Sequence, residues 1–430
     1  MDINTLDRTT SPAFHTIEQV HIPLAQTYTL ANGIPLHVIN VGEQPVVKLE
    51  LSFHAGNWYD TKNGISFFTS KMLNEGTSQH NSNQISEYFD QFGAFTEFTH
   101  GVDRASFVVY GLTKYLDQLL PMVQEILNDS IFPEKELNTL KKIQLQTIQV
   151  NQEKTSFLAN QKIRKSLFGT QHPYGKHLTS QVIEAITRED LVDYYKSHWK
   201  NQPCRIFLSG KVTEADIQLV SQAFGDTPLQ KRLDSTPTFD IDSAPIAEPI
   251  LIEKENAMQS SIRLGKKLVT RNHPDYFNLL VTNEVLGGYF GSRLMKNIRE
   301  DKGFTYGIGS NIVPFSKAGY FIIGTDVKKE FTQQTLDEIR KELHILQTEL
   351  ISSDELAAVR NYMIGAFAGS LNTPFEIADR YKIIMSEGLP LDFYNKYFEH
   401  IKSIKPEAIL ATAQQYLTPE SFIEVVAGGK

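Results

Sequence analysis

Apolar residues change their spacing repeatedly along the chain, and each spacing predicts a different element. Val46 to Ala55 alternates and reads as a strand. Before it, Pro23 to Val41 reads as an extended arm and hairpin that turns at Asn32-Gly33. Gly64 to Leu73 and Asn83 to Phe92 carry helical spacing, the second closed by Gly93. Ala94 to Thr99 and Ala105 to Tyr110 form a predicted antiparallel pair around His100-Gly101. Tyr115 to Asn128 is an amphipathic helix, and Glu134 to Leu167 is a long helical stretch without proline. After a polar loop containing His172-Pro173-Tyr174-Gly175, a helix is predicted over Thr187 to His198 and a strand over Cys204 to Ser209.

From Gly225 to Pro249 the pattern lapses. Four prolines and no helical period mark this stretch as a linker. Strands and helices resume at Ile250 in a similar order, which points to an internal repeat. At an offset of 218, Ile183, Ile186 and Leu191 fall on Ile401, Ile404 and Ile409, and Cys204 to Gly210 falls on Phe422 to Gly428. Ser106 to Gly111 resembles Gly319 to Gly324. The reading is two α/β halves, residues 1–224 and 250–430, joined by 225–249.

Composition narrows the function classes. The 430 residues are 41% hydrophobic and 21% charged, an ordinary globular balance. A formal charge of −8 gives no general attraction to nucleic acid or anionic lipid. The single cysteine, Cys204, lies in an apolar run and reads as a buried small hydrophobe. No segment has the apolar length of a membrane helix. The polar start carries no readable secretory signal. A cytoplasmic home is therefore expected, or a periplasmic one if a signal has been removed.

Two stretches carry candidate chemistry: Gly64-Ile-Ser-Phe-Phe-Thr-Ser-Lys-Met-Leu-Asn-Glu-Gly-Thr77, and the run from Leu286-Gly287-Gly288 through Arg299 to Tyr306. With the Asn32-Gly33 opening, the His172 loop, the linker and the duplication, they resemble the pitrilysin, insulinase and mitochondrial processing peptidase family of metallopeptidases. The resemblance covers nearly the whole chain. It implies an α+β fold of two homologous sandwich halves, each a mainly antiparallel sheet covered by helices.

The zinc site of that family is an inverted H-x-x-E-H helix. Its histidines at i and i+4 bind the metal and its glutamate activates water. The aligned positions here are Phe67, Ser70 and Lys71. A further glutamate, on a later helix, would fall within Gln144 to Gln149, where Gln146 or Thr147 takes its place. Phenylalanine has no lone pair for zinc, serine is a weak base at neutral pH, and lysine sets a cation where Zn²⁺ would sit. On the same helical face as Phe67, the Lys71 ammonium is expected to pair with a carboxylate of its own chain or of a bound peptide. No H-x-x-x-H pair exists elsewhere, and His172 and His177 read as surface loop residues.

The second motif departs less. The family carries an Arg and a Tyr seven residues apart that hold substrate near the zinc, and Arg299 and Tyr306 match them. A phenol and a guanidinium aimed at a carbonyl oxygen stabilise the charge that peptide hydrolysis places there. Gly287, Gly288 and Gly291 fit no phosphate-binding pattern and read as a close backbone approach. The substrate edge strand of the family corresponds to Ala94, Phe95, Thr96, Glu97, Phe98 and Thr99, with Glu97 where the family usually has Asn.

What the resemblance implies is a non-zinc subunit of a two-chain peptidase of the bacterial type. It would have no cofactor of its own, and zinc would lie in an H-x-x-E-H partner. Peptides are the implied substrates, nucleic acid and membrane are not partners, and a homodimer is the state open to the isolated chain. Two alternatives stand beside it: a structural protein without catalysis, and a peptide-binding pseudo-enzyme acting alone.

Overall fold

The protein is described from a computed structural model that covers Thr9 and residues 17–20, 22–230, 237–240 and 248–429. Two sheets carry the fold. The first contains β1 (Gln26–Thr29), β2 (Pro35–Asn40), β3 (Val46–Phe53), β4 (Phe95–His100), β5 (Ala105–Leu112) and β6 (Cys204–Gly210), ordered β1-β2-β6-β3-β5-β4. The second contains β7 (Ile250–Glu253), β8 (Gln259–Leu268), β9 (Ile308–Pro314), β10 (Gly319–Lys328) and β11 (Ile423–Gly428), ordered β7-β11-β8-β10-β9.

The two orders match strand for strand once β1 is set aside. In each sheet one parallel pair, β2 with β6 and β7 with β11, begins a run of antiparallel pairs. The residues that suggested the repeat are equivalent in burial as well. Ile183, Ile186, Leu191, Ile401, Ile404 and Ile409 are all buried. The fold is therefore α+β, two mainly antiparallel sheets with helices. Among the described residues no helix is long and apolar enough to cross a membrane.

Alternation in β3 separates two interiors rather than core from water. Val47, Leu49, Leu51 and Phe53 face the first half's helices, with Ile65, Phe68 and Val123 in the same cluster. Lys48, Glu50 and Ser52, on the other face, are also buried. They meet the second half, whose helix Pro374–Glu387 lies against β2 and β6. The exchange is reciprocal, because helix Thr155–Phe168 lies against β8 and β11. Gly265 permits that approach: a Cβ there would come within 2.8 Å of the Ile163 side chain.

Three expectations change. The long helical stretch from Glu134 is two helices, Glu134–Gln152 and Thr155–Phe168. Lys154 between them is extended, so the second can leave its own half for the other sheet. His172 is not a surface residue; it is buried among the rings of Trp58, Phe168 and Tyr174. Gly225 ends the helix Glu214–Gly225 instead of opening the linker. Much of that linker, 231–236 and 241–247, lies outside the described residues. Its described part does more than span a gap: Trp58 Nε1 donates to the Pro237 carbonyl at 2.9 Å, and Phe239 packs edge-on to Trp58.

Candidate functional site

The helix Ile65–Met72 begins at Gly64, whose φ of 89° is left-handed. Asp60 caps it, accepting from the Gly64 and Ser66 amides at 2.9 Å each. Burial pushes the Asp60 carboxyl up to about 6, against those hydrogen bonds. On this helix Phe67 is half-buried and sets its ring edge-on to His100 at 5.6 Å. Ser70 is buried and donates to the Ser66 carbonyl at 2.8 Å, so its hydroxyl is committed to its own helix. Lys71 is exposed, and among the described residues no carboxylate lies within ion-pair distance of it. The expected pairing within the chain is therefore not formed. Burial, with the nearby Lys71 charge, lowers His100 to about 4, so its imidazole is neutral at pH 7. Its Nε2 lies 2.9 Å from Ser66 Oγ.

Gln146 and Thr147 are exposed on Glu134–Gln152. Thr147 donates to the Ile143 carbonyl at 2.8 Å and lines a cavity of about 330 Å³. An aromatic ring, a committed hydroxyl, a cation and a helical threonine are not a zinc donor set. Among the described residues no group of three His, Cys, Asp or Glu side chains could hold a metal. Strand β4 is an edge strand, as the substrate-strand expectation requires. Ala94, just before it, and Phe98 are buried, Phe98 stacking on Phe107; Phe95 and Glu97 are exposed, and Thr96 and Thr99 are half-buried.

The second half positions Arg299 and Tyr306 through two π-helical turns, Glu284–Gly288 and Met295–Asp301. Such turns are rare and often lie at functional sites. Gly287 is the close approach anticipated from the glycine cluster: a Cβ there would meet the Ser310 amide at 2.7 Å. Arg293 grips Glu355 with two hydrogen bonds of 2.8 and 2.9 Å, which fixes the run that leads to Arg299. The Arg299 guanidinium lies 4.4 Å over the Phe290 ring. Tyr306, between the second π-helix and β9, is 95% exposed. It lines a cavity of about 550 Å³ with Arg263, Gly309 and Gly324, which Arg299 does not reach. The two residues thus share one loop region but not one contact.

Sequence reasoning missed three features here. Helical spacing does not distinguish π from α turns. Nothing in the pattern marked Glu284, whose buried carboxyl burial pushes up to about 7 and whose Oε2 has no partner. Arg263 was hidden inside a strand; it proves to bond Asn160 of the other half at 2.8 Å.

The chain is similar to known proteins over most of its length. The family model described as Insulinase (Peptidase family M16) matches residues 38–180, and the model described as Peptidase M16 inactive domain matches residues 185–363. A Bacillus subtilis protein named "Uncharacterized zinc protease YmxG" is 23% identical over 94% of this chain and 98% of its own. A Helicobacter pylori protein named "Non-peptidase homolog YmxG" is 22% identical over 85% of each. The crystal structure of a peptidase M16 inactive domain from Pseudomonas fluorescens superposes with a TM-score of 0.84 at 25% identity, covering 94% of this chain and 98% of that one.

Proposed function

The chain belongs to the peptidase M16 family, and on that premise we propose that it is the non-zinc subunit of a two-chain zinc peptidase. In type it is an inactive M16-like protein, because positions 67, 70, 71 and 144–149 supply no zinc ligand set. In the proposed assembly it brings Arg299 and Tyr306 to a peptide held at an H-x-x-E-H site on the partner chain.

The observation that carries this reading is the exposure of Tyr306. A tyrosine kept for packing buries its ring and bonds its hydroxyl, as Tyr194 and Tyr195 do here. Tyr306 instead holds its phenol in the open beside a cavity. Arg299 supports it: among the described residues it enters no ion pair, and its guanidinium rests on the Phe290 ring. In such a site the phenol stabilises the oxyanion and the guanidinium orients the peptide.

The test mixes this chain with a family member carrying H-x-x-E-H and follows cleavage of a fluorogenic peptide. Tyr306→Phe should leave pairing and thermal stability unchanged and lower turnover by about 10²–10³. Arg299→Ala should lower turnover similarly and also raise KM. Unchanged rates in a confirmed heterodimer would refute the proposal and favour a structural or peptide-binding role.

A further inference from the structure

Beside Tyr306 the two halves build a trough. Three cavities of about 960, 550 and 330 Å³ meet in a row. The first two share Gln259 and Asp326, and the last two share Asn160. The middle cavity lies where Gly309 of β9 stands opposite Gly324 of β10, and Gly324 opposite Arg263 of β8. Gly324 makes room for the Arg263 side chain, whose Cδ lies 3.3 Å from where a Cβ would stand. Arg263 fixes its wall, being 8% exposed and bonded to Asn160 Oδ1 at 2.8 Å and the Thr325 carbonyl at 2.9 Å.

Charge singles the trough out. Its walls carry seven Lys and Arg against three carboxylates, in a chain of net charge −8. Two of those carboxylates are already paired, Glu153 with Lys254 at 2.7 Å and Asp326 with Arg263 at 3.3 Å. Among the described residues Lys154, Lys328 and Lys329 enter no ion pair. The first turn of Thr155–Phe168 also opens here, with no side chain capping its amides. A positive concavity in an acidic protein concentrates anions. The backbone of β9 is the last in its sheet, and Gly309 and Asn311 line the trough, so an extended chain can pair there.

We propose that this trough binds an extended peptide segment rich in Asp and Glu, its backbone pairing with β9 and its carboxylates meeting Lys154, Lys328 and Lys329. The middle cavity is the one that Tyr306 lines, so the proposal deepens the reading above; binding to the isolated chain, measured without a zinc partner, is distinguishable from turnover in the two-chain assembly. The experiment measures fluorescence anisotropy of labelled alternating Glu-Val, Gln-Val and Lys-Val peptides with the isolated full chain. The Glu-Val peptide should bind at least about tenfold more tightly than Gln-Val. The difference should shrink as salt rises. Lys154→Glu with Lys328→Glu should abolish the preference while circular dichroism stays unchanged. Methylating alternate backbone nitrogens of the Glu-Val peptide should remove binding. Equal affinity for all three peptides, an unaffected double variant, undiminished binding of the methylated peptide, or tighter binding of a short single-stranded DNA would each overturn the proposal.

Discussion

Glu284 shows how a residue can be ordinary in sequence and unusual in its surroundings. It is a carboxylate in a helical turn, packed on Gly288, with one oxygen buried and unpartnered. Burial pushes it up to about 7 from 4.5. The folded state therefore holds a proton that the unfolded chain releases between those values. Its contribution to stability improves as pH falls from about 7 toward 4.5 and is unfavourable above 7. Glu284→Gln removes the ionisable group and keeps the shape. The variant should gain about 1–2 kcal/mol at pH 8 and almost nothing at pH 5, after allowance for solvent screening. Urea unfolding at the two pH values measures this; an equal effect at both would contradict the assignment. Residue-level chemistry of this kind was only partly legible. That Phe67, Ser70 and Lys71 cannot bind zinc follows from their side chains alone. That His172 is buried depends on Trp58, Phe168 and Tyr174 converging from separate segments, which no local pattern records.

At the scale of elements, strands were read well where alternation was strict, because burial of one face against helices dictates the period. The break at Lys154 was not legible. No glycine or proline marks it, and the helix stops because its continuation belongs on β8 and β11. The capping chemistry confirms a tertiary cause: Lys154 occupies the N-cap position in extended conformation and provides no side-chain cap. Thr187, Thr213 and Thr373 cap their helices with reciprocal boxes. Lys154→Asp supplies the missing acceptor and places a negative charge at the helix start. Thermal unfolding should show a gain of about 1 kcal/mol. The same substitution removes a trough lysine, so binding of the Glu-Val peptide should weaken in a protein that has become more stable. Loss of stability together with loss of binding would point instead to distortion of the junction.

The whole molecule is held by the exchange of helices between its halves, and the two contacts differ in kind. The sequence repeat indicates two similar sheets, but an offset between matching isoleucines says nothing about which helix covers which sheet. Helix Thr155–Phe168 meets β8 and β11 through an apolar centre of Ile163, Leu167 and Val425, with neutral hydrogen-bond acceptors at Thr155 and Asn160 meeting Ser261 and Arg263. Helix Pro374–Glu387 instead completes an ionic cluster over β3 in which Lys48 and Glu50 are buried and Asp379 and Lys382 are partly exposed. Glu50, 2% exposed, lies 3.4 Å from Lys48 and 2.9 Å from Lys382; Asp379 lies 2.7 Å from Lys48 and 3.3 Å from Lys382. Burial pulls the Lys48 ammonium down, yet Glu50 and Asp379 outweigh it and hold Lys48 above 10.5. Its stabilising contribution is therefore complete below the unfolded value of 10.5 and is lost as pH rises through the higher folded value. Removing one charge should be far worse than removing Lys48, Glu50 and Lys382 together, because the Asp379 left behind is half-exposed and meets water. Glu50→Gln leaves Lys48 buried with a single acidic partner and should cost about 3 kcal/mol. Replacing Lys48, Glu50 and Lys382 together by Met, Leu and Met keeps the volume without the desolvation cost, and should recover most of that loss. Urea unfolding of the two variants at pH 7 decides the matter. If Glu50→Gln is neutral, or the triple variant is the less stable of the two, the cluster is not what joins the halves.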